Sequence, residues 1–130
     1  MEASHSINVD PSTSTVTITV TGFFDQPALM RLVTDREEAY KKLRCPPNQH
    51  VTLCDVSDCA LQSQDMVAGF RQMIADPRRR SRRLAFVVGS SLARMQIRRM
   101  IAGRDDVLCF VDRNEAAAWL REPDGAARAA

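Results

Sequence analysis

Between residues 14 and 24 the chain reads STVTITVTGFF, with Val16, Ile18 and Val20 alternating against Thr15, Thr17, Thr19 and Thr21. A period of two with β-branched residues in both phases predicts a strand that buries one face and wets the other. A shorter apolar stretch, Ile7-Asn8-Val9, precedes it across DPSTS. Asp, Pro and Ser favour a turn, so the two strands are expected to form an antiparallel hairpin at a sheet edge. From Pro27 the period lengthens. Leu29, Leu32, Val33, Arg36, Tyr40 and Leu43 recur every three or four residues until CPP interrupts them, which predicts a helix.

The alternation of periods continues to the end of the chain. HVTLCDV reads as a strand, and Met66, Phe70, Met73 and Ile74 give the next helix an apolar stripe that ends near Asp76-Pro77. RLAFVVG is a continuous apolar run of strand length, followed by Ala93, Ile97, Met100 and Ile101 on one helical face before Gly103. DVLCFVD is a further strand. DRNEAAAWL then opens a short helix, with Asp112 three residues before Glu115 in capping-box spacing, Asp standing in for Ser or Thr. Each later pair of strands is joined through a helix, a link long enough for a parallel crossover. The expected fold is a single small α/β domain over residues 1–121, a hairpin leading into a mostly parallel βα layer, with residues 122–130 as a flexible tail.

Leu53, Phe86, Val88, Phe110 and Trp119 are expected to share one core with Leu32, Phe70 and Ile97. LAFVVG and VLCFV are apolar in both phases, while helices on one side cover only one sheet face. The second face needs a cover, and a homodimer or a partner protein would supply it.

Composition narrows the class. A chain of 130 residues has room for one domain, and 45% hydrophobic with 26% charged residues is ordinary for a globular protein. No apolar run approaches the ~20 residues needed to cross a bilayer. MEASHSINVD lacks the basic and apolar segments of an export signal, so a cytoplasmic location is expected. Of the cysteines, Cys54 and Cys109 sit inside strand-like runs as small hydrophobes. His50, Cys54 and Cys59 match no usual zinc spacing, and Gly22 and Gly89 stand alone rather than in a phosphate-binding loop. No metal or cofactor is expected.

Chemistry-bearing residues gather in DVSDCALQSQDM, residues 55–66. Asp55, Ser57, Asp58, Ser63 and Gln64 follow a strand, as do Ser90 and Ser91 after RLAFVVG, so both loops fall at the carboxyl rim where ligands of open parallel sheets sit. Ser63 before Asp65 and an apolar helix suits an N-cap, and Ser90 and Ser91 suit caps too. Asp55 is the candidate acid if the chain is a small enzyme, although no histidine or second clustered carboxylate joins it. A second feature is DPRRRSRRL, with five arginines in the six positions 78–83, followed by Arg94, Arg98, Arg99 and Arg104. Arg78, Arg79, Arg80, Arg82, Arg94 and Arg98 could form an anion surface. A net charge of only +2 and the lack of interleaved aromatics count against nucleic acid. An acidic protein, a small anionic ligand and a merely solvated loop remain open.

Four segments carry a resemblance that spans residues 7–121. TGFFDQPAL closes the hairpin, LCDVSD and RLAFVVG end two strands, and VLCFVDRNEAAAWL joins the last strand to a terminal helix. In this order they resemble the sporulation-regulator and sulfate-transporter (STAS) domains, in particular their SpoIIAA-like bacterial branch. The resemblance implies a non-enzymatic regulatory module that docks on protein partners, with some relatives binding nucleotides or lipid-like ligands. It also implies a phosphorylated serine at the start of the helix after the third strand. Gln64 stands at the matching position, with Ser63 beside it. A module that binds without that switch is the expectation, and a small enzyme or an anion binder is the alternative.

Overall fold

In the computed structural model, residues 2–89 and 91–123 are described, the side chain of Ser91 excepted. Five strands and four helices alternate along the chain: β1 (Ser4–Asp10), β2 (Thr15–Thr21), α1 (Gln26–Tyr40), β3 (Val51–Asp55), α2 (Gln64–Ala75), β4 (Arg83–Val87), α3 (Ser91–Met100), β5 (Val107–Phe110) and α4 (Arg113–Arg121). β1 and β2 pair antiparallel, with Ile7 opposite Ile18 and Val9 opposite Val16. All later pairs are parallel, and the strand order across the sheet is β1-β2-β3-β4-β5. This is the expected single α/β domain with an opening hairpin.

Helix ends follow local chemistry. The Asp25 side chain accepts the Ala28 amide at 3.0 Å to cap α1, with Pro27 in the first turn, where its missing N–H costs nothing. Asp112 Oδ1 accepts the amides of Asn114 at 2.7 Å and Glu115 at 3.4 Å to cap α4.

The sheet divides the interior in two, so the expectation of one core is corrected. On one face Val16, Ile18, Leu84, Phe86, Val88 and Val107 meet Leu29 and Leu32 of α1, Met66 of α2 and Ile97 of α3, with Phe70 against them. On the other face Val51, Leu53, Ala85 and Val87 meet Ala116 and Leu120 of α4, with Phe110 and Trp119 alongside. The cause is the sequential strand order. Crossovers of one hand place α1, α2 and α3 on one side, and only the helix after the last strand is free to take the other. The cover sought for the second face of β3 and β4 is therefore α4 of the same chain. Trp119 is half-buried, its ring centroid 5.8 Å from that of Phe110 and beneath the Arg83 guanidinium at 5.0 Å.

Glu122 and Pro123 were expected in the tail, yet their carbonyls accept from Arg82 and Arg83. Residues 124–130, the rest of the expected tail, lie outside the described residues.

Candidate functional site

The loops after β2, β3 and β4 meet at the carboxyl ends of the parallel strands. Gly22 N donates to the Asp58 carbonyl and Ala60 N to the Gly22 carbonyl, while Val56 N donates to Val87 O. Gly89 lies so close to the β3 loop that a Cβ there would stand 2.5 Å from the Ser57 carbonyl oxygen. Gly22 has φ +83°, and a Cβ on it would stand 2.3 Å from the Glu2 carbonyl oxygen. Both glycines are thus set by close backbone approach rather than by phosphate binding.

Asp55 is held by its surroundings. Its Oδ1 accepts the Ser57 hydroxyl at 2.6 Å and the Ser57 amide at 3.0 Å, and its Oδ2 accepts from Arg113 at 2.8 Å. Burial pushes its pKa up, but the Ser57 bonds and the Arg113 charge outweigh burial and hold the carboxyl below its usual range. Such a group is a staple between the β3 loop and α4. A general acid needs the opposite shift. Ser57 and Asp58 are exposed, and Gln64 is the exposed first residue of α2. The Ser63 hydroxyl accepts the Met66 amide at 3.2 Å, the N-cap expected of it. Ser91 opens α3, and Ser90 lies outside the described residues.

Two glutamines the sequence reading passed over tie this rim together. Gln62 Oε1 accepts the Phe24 amide at 2.8 Å, and its Nε2 donates to the carbonyls of Gly22 and Ala60. Gln96 of α3 accepts the Gln62 amide and donates to the Gln62 carbonyl, both at 3.1 Å. One signal was available, since Gln96 sits three residues after Ala93 within an otherwise apolar stripe. Around this clamp large apolar side chains face water: Phe23 is 50% exposed, Leu61 46%, Leu92 61% and Met95 51%. Leu61 neighbours Gln62 in sequence, Met95 neighbours Gln96, and Leu92 lies one helical turn before Gln96. They belong to the loops after β2 and β3 and to the first half of α3, so the topology brings them to the carboxyl end of the sheet, where exposed apolar side chains suit a contact surface.

The arginine loop lies at the opposite, amino end of the sheet, because it precedes β4. Arg78 pairs with Asp76 at 3.1 Å, Arg79 with Glu37, and Arg80 with Asp106 at 2.9 Å. Asp106 also takes Arg104 at 2.8 Å. Burial raises the Asp106 pKa, but Arg104 and Arg80 more than reverse this and hold it at about 2. Arg82 donates to the Leu120 and Glu122 carbonyls, and Arg83 to those of Trp119 and Pro123. Arg94 and Arg98 stand apart on α3, half-buried and exposed respectively. Arg78, Arg79 and Arg80 are thus each paired with a carboxylate within the fold.

The cysteines are thiols within the fold. Burial, with Cys59 and Asp55 nearby, pushes Cys54 up to about 12, and burial also raises Cys59 and Cys109, so none of these three is an activated nucleophile. His50 Nε2 lies 3.1 Å from the Ser81 hydroxyl, and Ser81 bonds Thr52 at 2.7 Å. No group of three or more His, Cys, Asp or Glu among the described residues is arranged to hold a metal ion. Among them no helix is long and apolar enough to cross a membrane.

No protein-family model matches the sequence, and no curated protein matches it. Solved structures do match in shape. An uncharacterized protein of the DUF3478 family with a SpoIIAA-like fold, from Shewanella loihica PV-4, superimposes with a TM-score of 0.72 at 15% identity, covering 92% of this chain and 96% of that one. An anti-sigma factor antagonist from Mycobacterium paratuberculosis superimposes with a TM-score of 0.60 at 10% identity over the same shares. The chain therefore has a SpoIIAA-like fold, the fold that the four quoted segments implied.

Proposed function

We propose that this chain is a non-catalytic regulatory module of the cytoplasm that binds a protein partner through its carboxyl-end rim. The observation that carries this reading is the exposure of Phe23, Leu61, Leu92 and Met95, carried by the loops after β2 and β3 and by the first half of α3, with the Gln62–Gln96 bonds joining the β3 loop to that helix. A surface organised before binding loses little conformational freedom on binding, which favours recognition over catalysis that needs a closing lid. Arg94 and Arg98 on the same helix suit a partner with acidic groups beside its apolar contact. That a protein of this fold is an anti-sigma factor antagonist supports a role in binding regulators.

The module works without the phosphorylation switch. Gln64 has no hydroxyl to accept a phosphoryl group, and Ser63 spends its hydroxyl on the helix cap. Partner concentration then sets occupancy.

The test is capture with crosslinking from the native host, comparing the wild type with a Leu61→Asp/Leu92→Asp variant. Both positions are exposed, so the variant should melt like the wild type while losing its partner. Equal recovery of that partner by both proteins overturns the assignment. Intact-mass analysis of the host's own protein should show no phosphate, and a substantial fraction phosphorylated at Ser63 or Ser57 contradicts the lost switch.

A further inference from the structure

Between the first sheet face and helices α1, α2 and α3 lies a cavity of about 80 Å³. Most of its wall is apolar, including Leu32, Phe70, Met73 and Phe86, while Arg36, Tyr40, Thr52 and Ser81 add polar groups. Arg36 is the anomaly. It is only 5% exposed, and its Nε is the one buried side-chain nitrogen or oxygen among the described residues without a hydrogen-bond partner. Its Nη1 donates to the Met73 carbonyl at 2.8 Å, and its guanidinium carbon lies 5.7 Å from the centre of the Tyr40 ring. Neither contact brings a negative charge.

A buried cation is costly unless an anion compensates it. The acids whose charge reaches it, Glu37 and Asp76, are already taken by Arg79 and Arg78. Thr52 and Ser81 bond each other, and Ser81 bonds His50, whose pKa burial lowers and the Arg36 charge lowers further. Of the other wall arginines, Arg79 holds Glu37, and Arg80 and Arg104 share Asp106. Arg36 alone in this wall has donors to spare and no carboxylate to meet them.

We infer that the cavity binds a short-chain monocarboxylate, its carboxylate on Arg36 and its hydrocarbon against Leu32, Phe70 and Phe86. The guanidinium fork matches a carboxylate in shape and charge, and a charge-assisted bond there satisfies the stranded Nε. Size limits the chain. An apolar cavity of about 150 Å³ takes the six carbons of benzene, so this one, about half that volume, suits about three or four non-hydrogen atoms, the size of acetate at most.

Sodium acetate is the probe, titrated against sodium chloride at equal ionic strength while the methyl resonances of Met73, Ile74 and Met100, all in the wall, are followed by NMR. Saturable shifts centred on these methyls are expected. Acetamide, the neutral analogue of the same shape, should bind at least about tenfold more weakly, since a bond to a charged acceptor is the stronger. Arg36→Met should abolish binding. Ala93→Leu, which adds three carbons to the wall and leaves Arg36 in place, should do the same, so the inference does not depend on folding of the Arg36 variant. No saturable shift, shifts confined to the surface, or equal affinity for acetamide overturns it.

Discussion

At the amino ends of the parallel strands every arginine of the 78–83 loop is turned onto a carboxylate or a carbonyl of its own chain. At the carboxyl ends four large apolar side chains meet water around a polar clamp. The end that looks interactive in the sequence is thus internally satisfied, and the end that looks merely polar carries the unpartnered surface. Charge density alone does not identify a binding site, because what counts is charge left over after internal pairing.

The largest difference between the two ends should appear in backbone substitutions. Gly22→Ala at the rim combines a positive φ with a contact of 2.3 Å to a carbonyl, and should cost about 3 kcal/mol in a denaturant melt. A cost below about 1 kcal/mol would mean that the rim is not rigid, and with it the preorganised surface falls. At the amino end the largest effect belongs to Asp106. Its folded pKa, about 2, lies below the ordinary aspartate value of 3.8, so its contribution is fully present above 3.8 and disappears as pH falls through about 2. Asp106→Asn should therefore cost about 2 kcal/mol at neutral pH and next to nothing once the pH is below about 2. A cost that persists in acid would assign the residue a role other than charge.

Smaller effects sharpen the contrast. Ser63→Ala should remove about 1 kcal/mol of helix cap, while Ser63→Asp, which caps equally well, should melt as the wild type does. Unequal losses in the two variants would show that the hydroxyl does more than cap α2. Arg78→Ala should leave the thermal midpoint unchanged, since that arginine is 80% exposed even in its ion pair. A clear shift there would reveal the basic loop as a stabilising network.

The strands and helices were legible because each carries an unbroken period. Thr15 to Thr21 alternates, and Leu29, Leu32, Arg36 and Tyr40 recur helically. The division of the core was not. Which side of a sheet a helix takes depends on the topology of the whole, and Ala116 and Leu120 face the sheet in the same way from either side. At the rim, Asp55 and Ser63 were identifiable from their place after β3 and before α2. Gln62 was hidden because its partners, Gly22, Phe24 and Gln96, are remote in sequence. The buried cation had left a trace, for Arg36 stands in an apolar stripe where a leucine would ordinarily be.

The sequential strand order has a consequence for how the chain is made. Each strand pairs with the one emitted just before it, so the sheet can grow at the ribosome from hairpin to β5 without waiting for distant segments. The first face acquires α1, α2 and α3 along the way, but Val51, Leu53, Ala85 and Val87 stay bare until α4 emerges last. A chain interrupted before Asp112 would carry a nearly finished sheet with one apolar side open. The closing nine residues of α4 thus decide whether the newborn protein leaves the ribosome as a sealed domain or as a substrate for chaperones and proteases.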